Sequence, residues 1–85
     1  MSKSVLHLDL HPIAKNSQAI DTALCDLFAE AIQKRVRKVE IITGKGSGQL
    51  MKRVKRFLEQ KEIKNTYKRL EVDTKNHGRL FVHFR

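Results

Sequence analysis

Asp9 and His11 stand two residues apart in the run Val5-Leu6-His7-Leu8-Asp9-Leu10-His11. Apolar and polar residues alternate there, which predicts a half-buried strand with Leu6, Leu8 and Leu10 on one face and Val5, His7, Asp9 and His11 on the other. At the strand rise of ~3.3 Å per residue, the Asp9 and His11 side chains leave the backbone roughly 7 Å apart and could address one phosphodiester together. Imidazole exchanges a proton near neutral pH, so His11 could take one from an attacking water or hydroxyl, or give one to a leaving oxygen. Asp9 could orient that ring, stabilise its charge, or hold a cation or water. The plainer reading of the same alternation is a polar, exposed sheet face.

A metal centre is the competing chemistry for His7, Asp9 and His11. His7 and His11 stand roughly 13 Å apart along a straight strand, too far to share an ion whose ligand bonds are near ~2 Å. Further ligands would come from Glu71, Asp73, His77 or His83, and no spacing demands them. The sequence requires no cofactor and leaves a divalent metal optional.

A second stretch points to an anion. Ile42-Thr43-Gly44-Lys45-Gly46-Ser47-Gly48-Gln49-Leu50 leaves an apolar strand through a glycine-rich turn and enters a basic helix. Glycines let backbone N–H groups approach a ligand, and the first N–H groups of a helix have no internal acceptor, so the turn suits a phosphate. The pattern is neither a P-loop nor a dinucleotide fingerprint, and glycines at a strand-to-helix turn often serve backbone geometry alone. Here Lys45 lies within the turn, Ser47 is the expected N-cap, and Lys52, Arg53, Lys55 and Arg56 follow on the next turns. Cations near a helix N-terminus oppose its dipole, so local stability does not explain them. His77-Gly78-Arg79 could add a second imidazole and a further cation to the same surface.

These residues require scaffolding that the pattern also supplies. Ile20, Leu24, Leu27, Phe28, Ala31 and Ile32 form a helical stripe from about Ser17 to Gln33, capped by Asn16 or Ser17. A basic connector, Lys34 to Lys38, leads to a strand from Val39 to Thr43. After the glycine turn, a helix from about Ser47 to Gln60 has the stripe Leu50, Val54, Phe57 and Leu58. Strands follow at Arg69 to Asp73 and Leu80 to Phe84, joined by a polar hairpin-like connection. The order is βαβαββ, and alternating strands predict an α/β two-layer sandwich with both helices on one face of a four-stranded mixed sheet. Phe28, Phe57, Phe81 and Phe84 read as core, which leaves Tyr67 as the one candidate for base stacking.

Composition sets the outer bounds. With 85 residues, 40% of them hydrophobic, the chain is expected to form one domain spanning residues 1–85 with one modest core. Lys and Arg number 18 against 9 Asp and Glu, giving a formal charge of +9 and a pI near 10.1. That surplus points to a polyanionic partner, nucleic acid first, then an acidic membrane surface or an acidic protein. No stretch approaches ~20 apolar residues and no signal peptide opens the chain, so a cytoplasmic protein outside the membrane is expected. Cys25, the lone cysteine, lies among Ala23, Leu24, Leu27 and Phe28 and reads as a small core residue in a reducing compartment.

Leu8-Asp9-Leu10-His11, the helix bearing Gln18-Ala19, and the Ile42 to Leu50 turn together resemble the small MutS-related (Smr) domain family over nearly the whole chain. The resemblance implies the α/β sandwich of the C-terminal domain of bacterial translation initiation factor three, nucleic-acid binding and, in many members, endonuclease activity on DNA or RNA. It implies catalytic roles for Asp9 and His11, and backbone-phosphate contacts for Thr43, Gly44, Lys45 and Gly46. Ser47, Gly48, Lys52, Arg53, Arg56, His77 and Arg79 complete the expected binding surface. Two positions depart from the family pattern: Pro12 follows the histidine where many members have glycine, and His77-Gly78-Arg79 replaces a GGxG-type motif. The expected partner is DNA or RNA, with the ribosome a further candidate. A non-catalytic binding module using the same basic face, and an adaptor for an acidic protein, remain the alternatives, and the oligomeric state is not legible.

Overall fold

Alternation along the strands decides which side of the sheet is buried. The computed structural model describes residues 5–44, 48–73 and 78–84. Its strands are β1 (Val5–Asp9), β2 (Lys38–Ile42), β3 (Arg69–Val72) and β4 (Arg79–His83), and its helices are α1 (Ser17–Lys34), α2 (Gln49–Leu58) and α3 (Lys61–Lys64). The sheet order is β1-β2-β4-β3, with β1 parallel to β2 and the other pairs antiparallel, so the expected mixed sheet is present. Val39, Ile41, Leu80 and Val82 are buried on one face, together with Ile20, Leu24, Leu27 and Phe28 of α1 and Val54, Phe57 and Leu58 of α2. Phe28 meets Phe57 and Phe84 edge-on at ring separations of 5.8 and 5.5 Å, which locks the two helices and β4 together. No helix among the described residues is long and apolar enough to cross a membrane.

Local chemistry accounts for the helix ends. The Asn16 side chain accepts the Ala19 N–H, capping α1, and Arg35 ends that helix in the left-handed conformation. α2 starts at Gln49 behind Gly48, an N-cap at φ 86°, so the helix begins two residues later than the expected Ser47, which lies outside the described residues. It also stops at Leu58 and is followed by α3 instead of running to Gln60. The Tyr67 hydroxyl donates to the Leu58 carbonyl at 2.8 Å, satisfying one of the open acceptors at the end of α2. Tyr67 therefore braces a helix end, and burial, aided by the charge of Glu59, raises its phenol above the ordinary value.

Three core assignments are corrected. Cys25 is exposed, because it sits about 100° around α1 from buried Leu24. Ile32 is 52% exposed for the same reason relative to Ala31. Phe81 pairs with Glu40 and Glu71 and lies between buried Leu80 and Val82, so it occupies the helix-free face, half-buried, with the Lys38 ammonium 4.9 Å and the Arg79 guanidinium 5.5 Å from its ring centre.

Candidate functional site

β1 ends at Asp9, and the chain turns immediately. The Leu10 N–H still bonds the Ile42 carbonyl, after which His11–Ile13 form a single turn of 3-10 helix. His11 is thus not the next outward residue of the strand, as alternation predicted, and it shares no strand face with Asp9. Proline suits the first positions of such a turn, where its missing N–H costs no bond. The Asp9 carboxylate accepts the His11 backbone N–H at 2.9 Å, so its visible work is to hold the turn and not the imidazole.

The turn carries His11 onto the glycine segment. A Cβ built on Gly44, whose φ is 82°, would stand 2.8 Å from Cδ2 of the His11 ring. The imidazole therefore packs directly over a bare glycine backbone. The Gly78 carbonyl closes the arrangement from a third loop, accepting the Thr43 N–H at 2.7 Å, the Gly44 N–H at 3.0 Å and the Thr43 hydroxyl at 3.2 Å. A Cβ on Gly78 would come within 3.0 Å of the Gly44 carbonyl carbon, so the single glycine of the His77-Gly78-Arg79 motif is what allows this approach.

That clasp reassigns two expected phosphate contacts. The Thr43 hydroxyl and the Gly44 N–H both point to Gly78 and not outward to an anion. Among the described residues, the first backbone bond into α2 runs from the Lys52 N–H to the Gly48 carbonyl, which places the N–H groups of Gln49, Leu50 and Met51 at the head of the helix. Lys45, Gly46, Ser47 and His77 lie outside the described residues.

α2 carries four cations and no carboxylate in its ten residues. Lys52, Arg53 and Arg56 line a groove of about 360 Å³ between α2 and the start of α1. Among the described residues, the nearest carboxylate to any of them is Asp21, 3.9 Å from Arg53, a loose contact. The expected cations thus come together on one helix face and stand open to a ligand.

Arg79 is placed differently. Its guanidinium donates to Asp73 at 2.6 Å and to Glu40 at 2.7 Å on the helix-free sheet face. Those hydrogen bonds, Asp73 foremost, push its already high proton affinity higher. Glu40 is only 7% exposed and accepts a second bond from Nδ1 of His7. Burial alone would raise the Glu40 carboxyl, yet the bonds from His7 and Arg79 and their attraction outweigh it and bring it below its ordinary value of 4.5. No spacing rule singled out Glu40, although an acid inside the apolar run Val39-Glu40-Ile41-Ile42 is a signal of a partnered charge. On the same face, Glu71 pairs with His83. Among the described residues, no group of three or more His, Cys, Asp or Glu is placed to hold a metal ion.

The Glu40 network makes a stability prediction. Because the folded carboxyl titrates below its unfolded value, its contribution is complete above pH ~4.5 and fades as pH falls through the folded value. Glu40→Gln should flatten the acid limb of a urea-melt series as pH falls below about 4.5. Glu40→Ala should cost about 1 kcal/mol at neutral pH, since it removes two charge-assisted hydrogen bonds while Arg79 keeps Asp73 and the exposed His7 imidazole turns to water.

Comparison with known proteins agrees with this fold. The family model described as the Smr domain matches residues 8–85. The fold matches the crystal structure of the Smr domain of Thermus thermophilus MutS2 with a TM-score of 0.72 and 15% sequence identity, covering 96% of this chain and 98% of that one. A search of curated proteins found none that matches.

Proposed function

The chain belongs to the Smr domain family, and on that premise we propose that it is a nucleic-acid-binding endonuclease that cuts the phosphodiester backbone of DNA or RNA. The observation that carries this reading is the His11 ring packed on Gly44, the glycine that stands in the chain between β2 and the cation-rich helix α2. A phosphate held at the head of that helix, with Lys52, Arg53 and Arg56 along the strand's path, brings the next phosphodiester beside an imidazole. Unprotonated His11 then takes the proton of an attacking water, or of a ribose 2′-hydroxyl when the substrate is RNA, as that oxygen bonds to phosphorus. The opposite P–O ester bond breaks, and the departing oxygen takes a proton from water. Asp9 fixes the turn that presents the ring, and the cations stabilise charge on the phosphoryl oxygens.

The test is a cleavage panel of duplex, branched and single-stranded DNA and RNA, with and without divalent metal. Cleavage of any of them by the purified chain supports the enzyme, and no cleavage under any condition overturns it. A second reading, a binding module without catalysis, is favoured by one detail: the Asp9 carboxylate holds a backbone N–H and not the imidazole. Both readings predict salt-sensitive binding. With about four phosphate contacts, affinity should fall roughly a hundredfold between 50 and 200 mM salt in a fluorescence titration. An affinity indifferent to salt would instead indicate a partner other than nucleic acid.

A further inference from the structure

We propose that the groove between α1 and α2 takes a single unpaired strand leading to or away from the cutting site, so that the preferred substrate carries a single-stranded segment next to the scissile bond. The inference rests on the endonuclease reading and adds the class of substrate. Its first support is position. The groove is lined by Ala14, whose N–H bonds the His11 carbonyl, and by Gln49, the first residue of α2. It therefore lies beside the turn that carries His11.

Its second support is charge. Lys52, Arg53 and Arg56 follow Gln49 at the helical spacings that share one face, and all three line the groove. The helix-free sheet face is different in kind. There Lys38, Arg69 and Arg79 are matched by Glu40, Glu71 and Asp73, and the Arg79 guanidinium is tied to two of those carboxylates. A polyanion therefore finds its attraction on the α2 side of the molecule.

Its third support is size. A concavity of about 360 Å³ sits at the low end of the ~300–1,000 Å³ range of ligand-sized clefts. A concavity of that size admits one sugar–phosphate backbone and not a whole double helix, whose grooves are ~12 Å and ~6 Å wide. Gln49 to Arg56 covers about 10 Å at 1.5 Å per residue, and the long side chains of Lys52, Arg53 and Arg56 extend that reach to successive phosphates of one strand.

The experiment uses the full chain carrying His11→Ala, so that nothing is cut, and titrates it with a blunt duplex and with the same duplex bearing a four-nucleotide overhang, as DNA and as RNA. The overhang should bind about tenfold more tightly. Adding Lys52→Gln, Arg53→Gln and Arg56→Gln should remove that preference and reduce the salt slope on the overhang probe by about 2, from ~0.7 per lost single-strand contact. Lys55→Gln, on the same helix but outside the groove lining, should keep the preference. Equal binding of the two probes, equal losses on both, or the same loss from Lys55→Gln would each overturn the proposal. Cleavage by the unsubstituted chain is read separately, so a chain that cuts without overhang preference sinks this inference and leaves the nuclease standing.

Discussion

His11→Ala protein is expected to bind nucleic acid with the affinity of the parent chain and to cut it at least ~100-fold more slowly, the scale of loss when a positioned general base is removed. The separation follows from where each group sits. The anchoring donors and cations belong to α2, whereas the imidazole arrives on the turn after β1. Asp9 bonds the backbone N–H of residue 11, which alanine retains, so the turn should survive the substitution. Its exposed ring supports no core contact, and thermal stability should change little. Single-turnover cleavage at saturating protein, with a parallel binding titration, checks both halves. Unchanged cleavage would remove His11 from the chemistry, and a matching loss of affinity would make it a binding residue.

The residues proposed for binding and cleavage were legible in the sequence, whereas the path of the chain between them was only partly so. Strand alternation located β1, β2, β3 and β4 to within a residue or two, because each buries one face and a slipped register would expose it. It failed at His11 because period-two counting carries no information about where a strand stops, and β1 ends two residues early at Asp9, whose carboxylate holds the turn. Phe81 was misassigned for a related reason: Leu80-Phe81-Val82 is apolar throughout, so the sequence does not reveal the phase that the pairing with Glu40 fixes. Cys25 looked buried because its neighbours in sequence are, yet a helix turns each successive residue through about 100°. Glu40, and the pairing of Asp73 with Arg79, escaped notice because Arg79 is 39 and 6 residues away, and no local pattern encodes that meeting. The convergence of His11, Gly44 and Gly78 is tertiary in the same sense, since three loops distant in sequence end at the same edge of the sheet.

Gly44→Ala and Gly48→Ala separate backbone strain from displacement of the imidazole. Both glycines have positive φ, 82° and 86°, so alanine at either position should cost about 1–2 kcal/mol from the left-handed backbone. Their surroundings differ. The Cβ added at Gly48 meets nothing within 4 Å, whereas the one at Gly44 stands 2.8 Å from the His11 ring. Such a separation cannot persist, and the exposed imidazole is the partner free to move. A shift of about 1 Å in a reacting group can cost ~100-fold in rate, so Gly44→Ala should lose two orders of magnitude in single-turnover cleavage. Gly48→Ala, equally strained, should keep its rate at saturation and show its cost in stability and, as the cap of the anchoring helix, in affinity. Equal effects of the two substitutions on the cleavage rate would mean that strain alone governs the loops. A rate loss confined to Gly44→Ala would tie turnover to the 2.8 Å contact, because the two proteins share every other consequence of an alanine at positive φ.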